Sequence, residues 1–340
     1  MLKKNILLTG ATGTVGKYAL QYLTEKSENY NVTVFAQNTS TDKRKLAEYS
    51  KKAEIVYGDL RSKSDVYKIN KKFDAVIHLA AVIPPLADEN KELSYGVNVV
   101  GTNNLVEFLK KNSPDAFFIY TSSVSVYGDR LKNNNISTDD ILSPSPLDYY
   151  ATTKIEAEEL IQNSGLNYTI MRLSAVAGDS SQKPNPLLFH MPLDTNIEFI
   201  TAEDAANACV SAIEKKDELL NKIYNLGGGE NCRILYKDFI AKSFDIFGLG
   251  KVKFPKTAFA EKNFHCGLYA DGDKLNSILN FRRYSLDEYF NNLKNKTGKF
   301  KRLFLKIFAK IIEKYLVNQS EPMKALNQKN KTMINHFFTQ

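Results

Sequence analysis

The chain has 340 residues, 43% of them hydrophobic and 11% aromatic, which suffices for a sizeable core in one large or two ordinary domains. Its net charge of +8 sits at the C-terminus: from residue 294 onward eleven Lys or Arg face only Glu313 and Glu321, leaving −1 on the first 293 residues, so no basic stripe for nucleic acid crosses the body of the protein. Cys209, Cys232 and Cys266 are odd in number and far apart, His78, His190, His265 and His336 lack metal-ligand spacing, and no apolar run is long enough to cross a bilayer, which argues against a disulfide framework, a metal site, a signal peptide and a transmembrane helix.

The first predicted strand, residues 5–9, breaks into Thr9-Gly-Ala-Thr-Gly-Thr-Val-Gly16, and a helical pattern follows over 16–26. Gly10 and Gly13 let the backbone turn and approach a pyrophosphate, Gly16 lets the helix pack closely, and the helix N-terminus offers free N–H groups. Thr9, Thr12, Thr14 and Val15 complete this phosphate cradle, so a dinucleotide is the expected guest. Without context, the same loop reads as a Gly-rich turn between strand and helix.

The second strand, 32–36, runs into Gln37-Asn38 without the acidic residue that bonds a ribose 2′-hydroxyl, and Lys43, Arg44 and Lys45 follow. NADP is therefore expected at least as readily as NAD, unless 43–45 is only a solvated helix face. After the third strand, 54–57, Asp59 is placed to accept from an adenine amino group, with Leu60 beside it. After the fourth, 75–79, small Ala80 and Ala81 follow Leu79 and permit close approach to the cofactor.

Helical stretches at 63–71 and 95–111 lead to a fifth strand, 116–121, and then to Ser122 and Ser123. Strands alternating with helices predict a doubly wound parallel sheet, with the loops that leave the strands along one edge. Beyond Pro144 and Pro146, Tyr150 and Lys154 lie at i and i+4 on one helical face. A tyrosine with a pKa of about 10 becomes a competent base when an ammonium and a positively charged nicotinamide favour its phenolate. Ser123, donating to the substrate oxygen, would complete a proton-transfer site with Tyr150 and Lys154.

Together the cradle, Asp59-Leu60, His78-Leu-Ala-Ala81, Asn98 with Gly101-Thr102, Ser122-Ser123 with Val126-Tyr-Gly128, and Tyr150 with Lys154 resemble an extended short-chain dehydrogenase/reductase of the NAD-dependent epimerase/dehydratase family. Phe199–Ala206, Ile223–Gly228 and Leu279–Glu288 extend the resemblance to about residue 293. It implies a Rossmann-type domain, a small C-terminal substrate domain, NAD or NADP as cofactor, and Ser123, Tyr150 and Lys154 as catalytic residues. Thr9, Gly10, Thr12 to Gly16, Asp59, Leu60, Leu79, Ala80, Ala81, Asn98, Ser122, Tyr150 and Lys154 are the implied cofactor-binding set. The expected division is 1–175, joined again by 197–226, as the dinucleotide-binding domain; 176–196 and 227–293 as the substrate domain; and 294–340 as a basic amphipathic tail.

Departures from the family bear on substrate. Val124 and Ser125 stand where sugar-nucleotide 4,6-dehydratases carry an Asp-Glu pair, and Ala175 stands where sugar-nucleotide enzymes usually place a substrate-binding Asn. The connection from Gly178 to residue 197 is short, and Lys183 is its only cation before the returning strand. The first expectation is a cytoplasmic oxidoreductase that moves hydride between nicotinamide and a carbonyl or hydroxyl of a compact small-molecule substrate. A nucleotide-sugar epimerase with tightly bound NAD is the alternative, and a non-catalytic NADP sensor the third reading.

Beyond the resemblance, residues 299–316 read as an amphipathic helix with Phe300, Phe304, Ile307, Phe308, Ile311 and Tyr315 on one face and Lys299, Arg302, Lys306, Lys310 and Glu313 on the other. Docking on its own chain or in a homodimer is the first expectation, and peripheral contact with an anionic membrane the second. Residues 318–340, rich in Asn, Gln and Lys, are expected to be loosely ordered.

Overall fold

Short apolar and β-branched runs make a seven-stranded parallel sheet: β1 (Lys4–Thr9), β2 (Tyr30–Ala36), β3 (Glu54–Tyr57), β4 (Ala75–His78), β5 (Phe117–Ser123), β6 (Asn167–Leu173) and β7 (Lys222–Leu226). The computed structural model describes residues 2–178, 186–250 and 253–339. Strand order is β7-β6-β5-β4-β1-β2-β3, and every neighbouring pair is parallel. The order reverses between β1 and β4, so the loops leaving these two strands diverge and open a crevice at the carboxyl edge.

Helices α1 (Gly16–Glu25), α2 (Ser40–Leu46), α3 (Thr102–Asn112), α4 (Tyr149–Gln162) and α5 (Ala202–Ser211) accompany this sheet. Successive side chains of a strand point to opposite faces, and both faces here are covered. Ile6, Leu8 and Ile77 pack in one core with Leu20 of α1 and Ala205 of α5, whereas Leu7, Val76 and Phe118 pack in another with Phe108 of α3 and Ile161 of α4.

A smaller sheet pairs Asn196–Thr201 in parallel with Ala175–Ala177 and antiparallel with Arg233–Leu235. Within 197–226, β7 joins the main sheet and α5 packs beside α1, whereas Asn196–Thr201 stays in the smaller sheet. Phe199 explains the difference, since its ring stacks on Phe239, 4.4 Å between centroids, in a separate aromatic core. That core also holds Phe189, Phe259 and residues of α6 (Tyr236–Ile246) and α7 (Leu286–Thr297). Lys183 lies outside the described residues.

After Gly298, with φ +67°, come α8 (Lys299–Ile307), α9 (Ala309–Val317), α10 (Glu321–Asn327) and α11 (Lys331–Phe337). The single helix expected over 299–316 is interrupted at Phe308, where φ is −94° and ψ 8°. Among the described residues its predicted apolar stripe stays exposed, and Leu316 and Ile312, from another face of α9, pack on the rest of the chain instead. The segment expected to be loosely ordered forms α10 and α11, capped by Ser320 and Asn330. Phe337 and Ala325 bury against Ala260, and the Glu261 amide donates to the Phe337 carbonyl at 2.7 Å.

Candidate active site

The Gly-rich loop sits at the strand-order reversal, between β1 and α1. Gly10 has φ +73°, and a Cβ there would lie 2.6 Å from the Ala80 amide nitrogen; one on Gly16 would lie 2.0 Å from the Gly10 carbonyl oxygen. These two glycines are therefore demanded by the fold itself. Gly13 differs: its amide closes the turn on Gly10 O at 3.0 Å, and a Cβ would meet only that carbonyl, at 3.2 Å. Both Gly13 and Thr14 face solvent, while Val15 packs against the core where α1 begins. The loop thus fits a pyrophosphate, with bare backbone turned outward at a helix N-terminus.

Lys45 of α2 reaches this loop, donating from Nζ to the Thr12 carbonyl at 2.9 Å, and helps line a cleft of about 460 Å³ with Thr12, Gly13, Thr14 and Lys17. Lys43 instead lies over the Tyr57 ring, 5.6 Å from its centroid. Asp59 is gripped by Arg61, whose guanidinium and amide both donate to its carboxylate and hold its pKa below the usual range. Leu60 is buried in the core and abuts Gly101.

On the β4 side, Thr9 Oγ1 meets His78 Nδ1 at 2.6 Å, and His78 Nε2 meets Thr102 Oγ1 at 3.0 Å. Burial pushes His78 down to about 3, so it stays neutral and ties β1, β4 and α3 together, as a packing histidine should. The Ala80 amide donates to Thr9 Oγ1 at 3.3 Å, which draws Leu79, Ala80 and Ala81 towards the glycine loop. Asn98 lies in a π-helical turn, Gly96–Gly101, and its amide is engaged within the protein: it exchanges hydrogen bonds with the Val82 backbone and donates to Thr153 Oγ1 at 3.0 Å. Its visible task is to fix the loop after Ala81 against α4.

The proton-transfer residues converge where β5 ends. Ser123 closes β5, its hydroxyl accepting the Ser125 amide at 3.1 Å, and Tyr150 stands near it on the first turn of α4. Burial pushes the Tyr150 phenol up, the neighbouring Ser123 side chain pulls it down, and Asp148 raises it again. Lys154 is 3% exposed and is brought from 10.5 down to about 7 by burial, with Glu158 opposing. Its Nζ donates to Tyr120 Oη at 3.1 Å and to the Thr121 carbonyl at 2.9 Å, and lies 5.9 Å from the Tyr150 ring centroid. Lys154 thus turns its ammonium to Tyr120 and the strand backbone, beside the Tyr150 ring. Ser122 Oγ is buried with no hydrogen-bond partner, an orphaned polar atom of the kind a bound cofactor satisfies.

Sequence reasoning missed Tyr120 and the brace at the start of α4. Asp148 Oδ1 accepts the Ala151 amide at 2.9 Å, an N-cap whose signal, an Asp just before the helix, is present in the sequence. Tyr120 gives no such signal, because in isolation it reads only as a strand aromatic. Val124 and Ser125 are buried, so no acidic pair follows Ser123.

With this geometry in hand, the comparisons are specific. The model of the NAD dependent epimerase/dehydratase family matches residues 6–227. The chain belongs to that family. It thereby belongs among the extended short-chain dehydrogenase/reductase enzymes, as the motifs implied. A putative UDP-glucose 4-epimerase of Methanocaldococcus jannaschii is 30% identical over 252 residues, covering 67% of this chain and 78% of the relative. The human sterol-4-alpha-carboxylate 3-dehydrogenase, decarboxylating, is 28% identical over 202 residues, 58% of this chain and 51% of that enzyme. Among solved structures, the UDP-glucuronic acid 4-epimerase of Bacillus cereus in complex with UDP-glucuronic acid and NAD aligns with a TM-score of 0.69 at 22% identity, over 86% of this chain and all of that one. This last likeness is one of fold.

Proposed function

We propose that this family member transfers hydride between NAD(P) and a carbonyl or hydroxyl carbon of a compact substrate, with Tyr150 as the acid/base. The observation that carries the reading is the convergence of Ser123, at the carboxyl end of β5, with the Tyr150 phenol, one helical turn from Lys154. The dinucleotide, when bound, supplies or accepts the hydride. In the reducing direction the substrate oxygen takes its proton from Tyr150 Oη, and Ser123 Oγ donates a hydrogen bond to the same oxygen. The upward push of burial on Tyr150 keeps the phenol protonated, the competent form for that direction. Lys154 holds Tyr120 and the Thr121 carbonyl in place and stands beside the proton-transfer pair. NADP is proposed over NAD because no carboxylate ends β2 and Lys45 stands at the rim of the cradle.

A compact substrate is supported by Val124, Ser125 and Ala175, which leave out the acid, base and amide used on sugar nucleotides, and by Phe189, buried in the core beside the short connection. The second reading, reversible oxidation of a nucleotide sugar at one carbon, is favoured by the names of the archaeal relative and the Bacillus cereus enzyme. Calorimetry with UDP- and dTDP-sugars in the presence of NAD and of NADP separates the two. The compact-substrate reading predicts no binding heat and no rise in melting temperature; micromolar affinity for any of these sugars would favour the epimerase.

A further inference from the structure

We propose that α8 and α9 form a docking surface that lies flat on an anionic lipid bilayer. Phe300 is 92% exposed, Leu303 and Phe304 60%, Ile307 71%, Ile311 67% and Tyr315 57%. Recurring at three- and four-residue spacing, they make one continuous apolar stripe along both helices. Contiguous apolar surface of this extent is rare on a protein that meets only water.

Charge decides what covers it. Residues 294–314 carry eight Lys or Arg against Glu313 alone, a net of +7, and Lys299, Lys301, Lys306, Lys310 and Lys314 are exposed. A second copy meeting this face through a two-fold axis would bring two such segments together, and their repulsion opposes the dimer. An anionic leaflet offers both complements at once: acyl boundary for the phenylalanines and headgroup charge for the lysines. No helix among the described residues is long and apolar enough to cross a membrane, so the element lies on the surface rather than through it. Its inner side is already engaged: Leu316 and Ile312 pack into the core that holds Phe290 and Leu293 of α7, so the helices are fixed to the rest of the chain while the stripe points away.

The test uses the full chain with vesicles of phosphatidylcholine and phosphatidylglycerol, and with phosphatidylcholine alone. Co-sedimentation with the anionic vesicles at low salt, lost at high salt and absent with the neutral ones, is expected. Replacing Lys306 and Lys310 together by Gln lowers the partition coefficient on the order of tenfold, and Phe304→Glu abolishes binding with the melting temperature unchanged. The chain contains no tryptophan, so Phe304→Trp installs a single reporter whose emission should shift to the blue on anionic vesicles. Failure of the unmodified protein to sediment at low salt overturns the proposal, as does self-association that Phe304→Glu abolishes without any vesicle binding, which assigns the face to a second copy.

Discussion

Asp148 Oδ2 stands 2.7 Å from His265 Nδ1, while the other oxygen of the same carboxylate accepts the Ala151 amide at the start of the helix that carries Tyr150 and Lys154. His265 arrives from the loop before Gly267, its ring stacked on Phe264 at 4.6 Å, so a distant segment of the chain braces the N-terminus of α4. Asp88 adds a second carboxylate there, with its pKa raised by burial and by Asp148 and its Oδ1 buried without a hydrogen-bond partner among the described residues.

His265→Ala removes this brace without touching the cradle. The expected loss of stability is about 1–2 kcal/mol, read by denaturant unfolding. Turnover falls several-fold while dinucleotide affinity holds, because Ser123 and Gly13 stay in place but the Tyr150 phenol is less firmly aimed. Loss of affinity equal to the loss of turnover would remove His265 from this positioning role.

The glycines of the cradle divide into two kinds, and substitutions should show it. Gly16→Ala forces a Cβ to within 2.0 Å of the Gly10 carbonyl oxygen and should unfold or deform the first βα turn. Gly13→Val should perturb folding far less than Gly16→Ala, since its Cβ meets a single carbonyl at 3.2 Å, yet weaken dinucleotide binding at least about tenfold by filling the path of the pyrophosphate. Calorimetry on the two variants checks this; wild-type affinity in Gly13→Val contradicts the cradle.

Lys154 makes stability depend on pH with a definite sign. Its pKa falls from 10.5 unfolded to about 7 folded, so between those values the unfolded chain holds the extra proton. The group's contribution to stability therefore rises as the pH rises across that window and is lost as the pH falls back through it. Lys154→Met should be more stable than the wild type near neutral pH, by roughly 2–4 kcal/mol, and the gap should narrow towards about pH 10. Thermal melts of both proteins across this range test the claim, and parallel curves would refute it. Turnover is lost in the variant throughout.

Much of this site is legible in the sequence because local rules and tertiary structure agree there. The glycine spacing, the apolar run before it and the Tyr150–Lys154 interval each depend on near neighbours, and the structure places all of them at one sheet edge. What escapes depends on partners far along the chain. The groups that Lys154 hydrogen-bonds, Tyr120 and the Thr121 carbonyl, lie some thirty residues earlier, and no local rule points to them. Ala175–Ala177 is too short a strand to carry a period, and it forms because Asn196–Thr201 lies alongside. In the tail the polar composition of 318–340 hides Ala325 and Phe337, two apolar residues that together order α10 and α11.

Tyr150 as the proton carrier beside a nicotinamide is the central claim, and deuteride transfer tests it most directly. Single turnovers with C4-deuterated NADH and NADPH, on a panel of small carbonyl compounds and with products read by mass spectrometry, compare the wild type with Tyr150→Phe at equal dinucleotide occupancy. The wild type is expected to place deuterium on the former carbonyl carbon, with the rate in Tyr150→Phe lower by about 10²- to 10⁴-fold. Transfer by Tyr150→Phe at the wild-type rate would contradict the account.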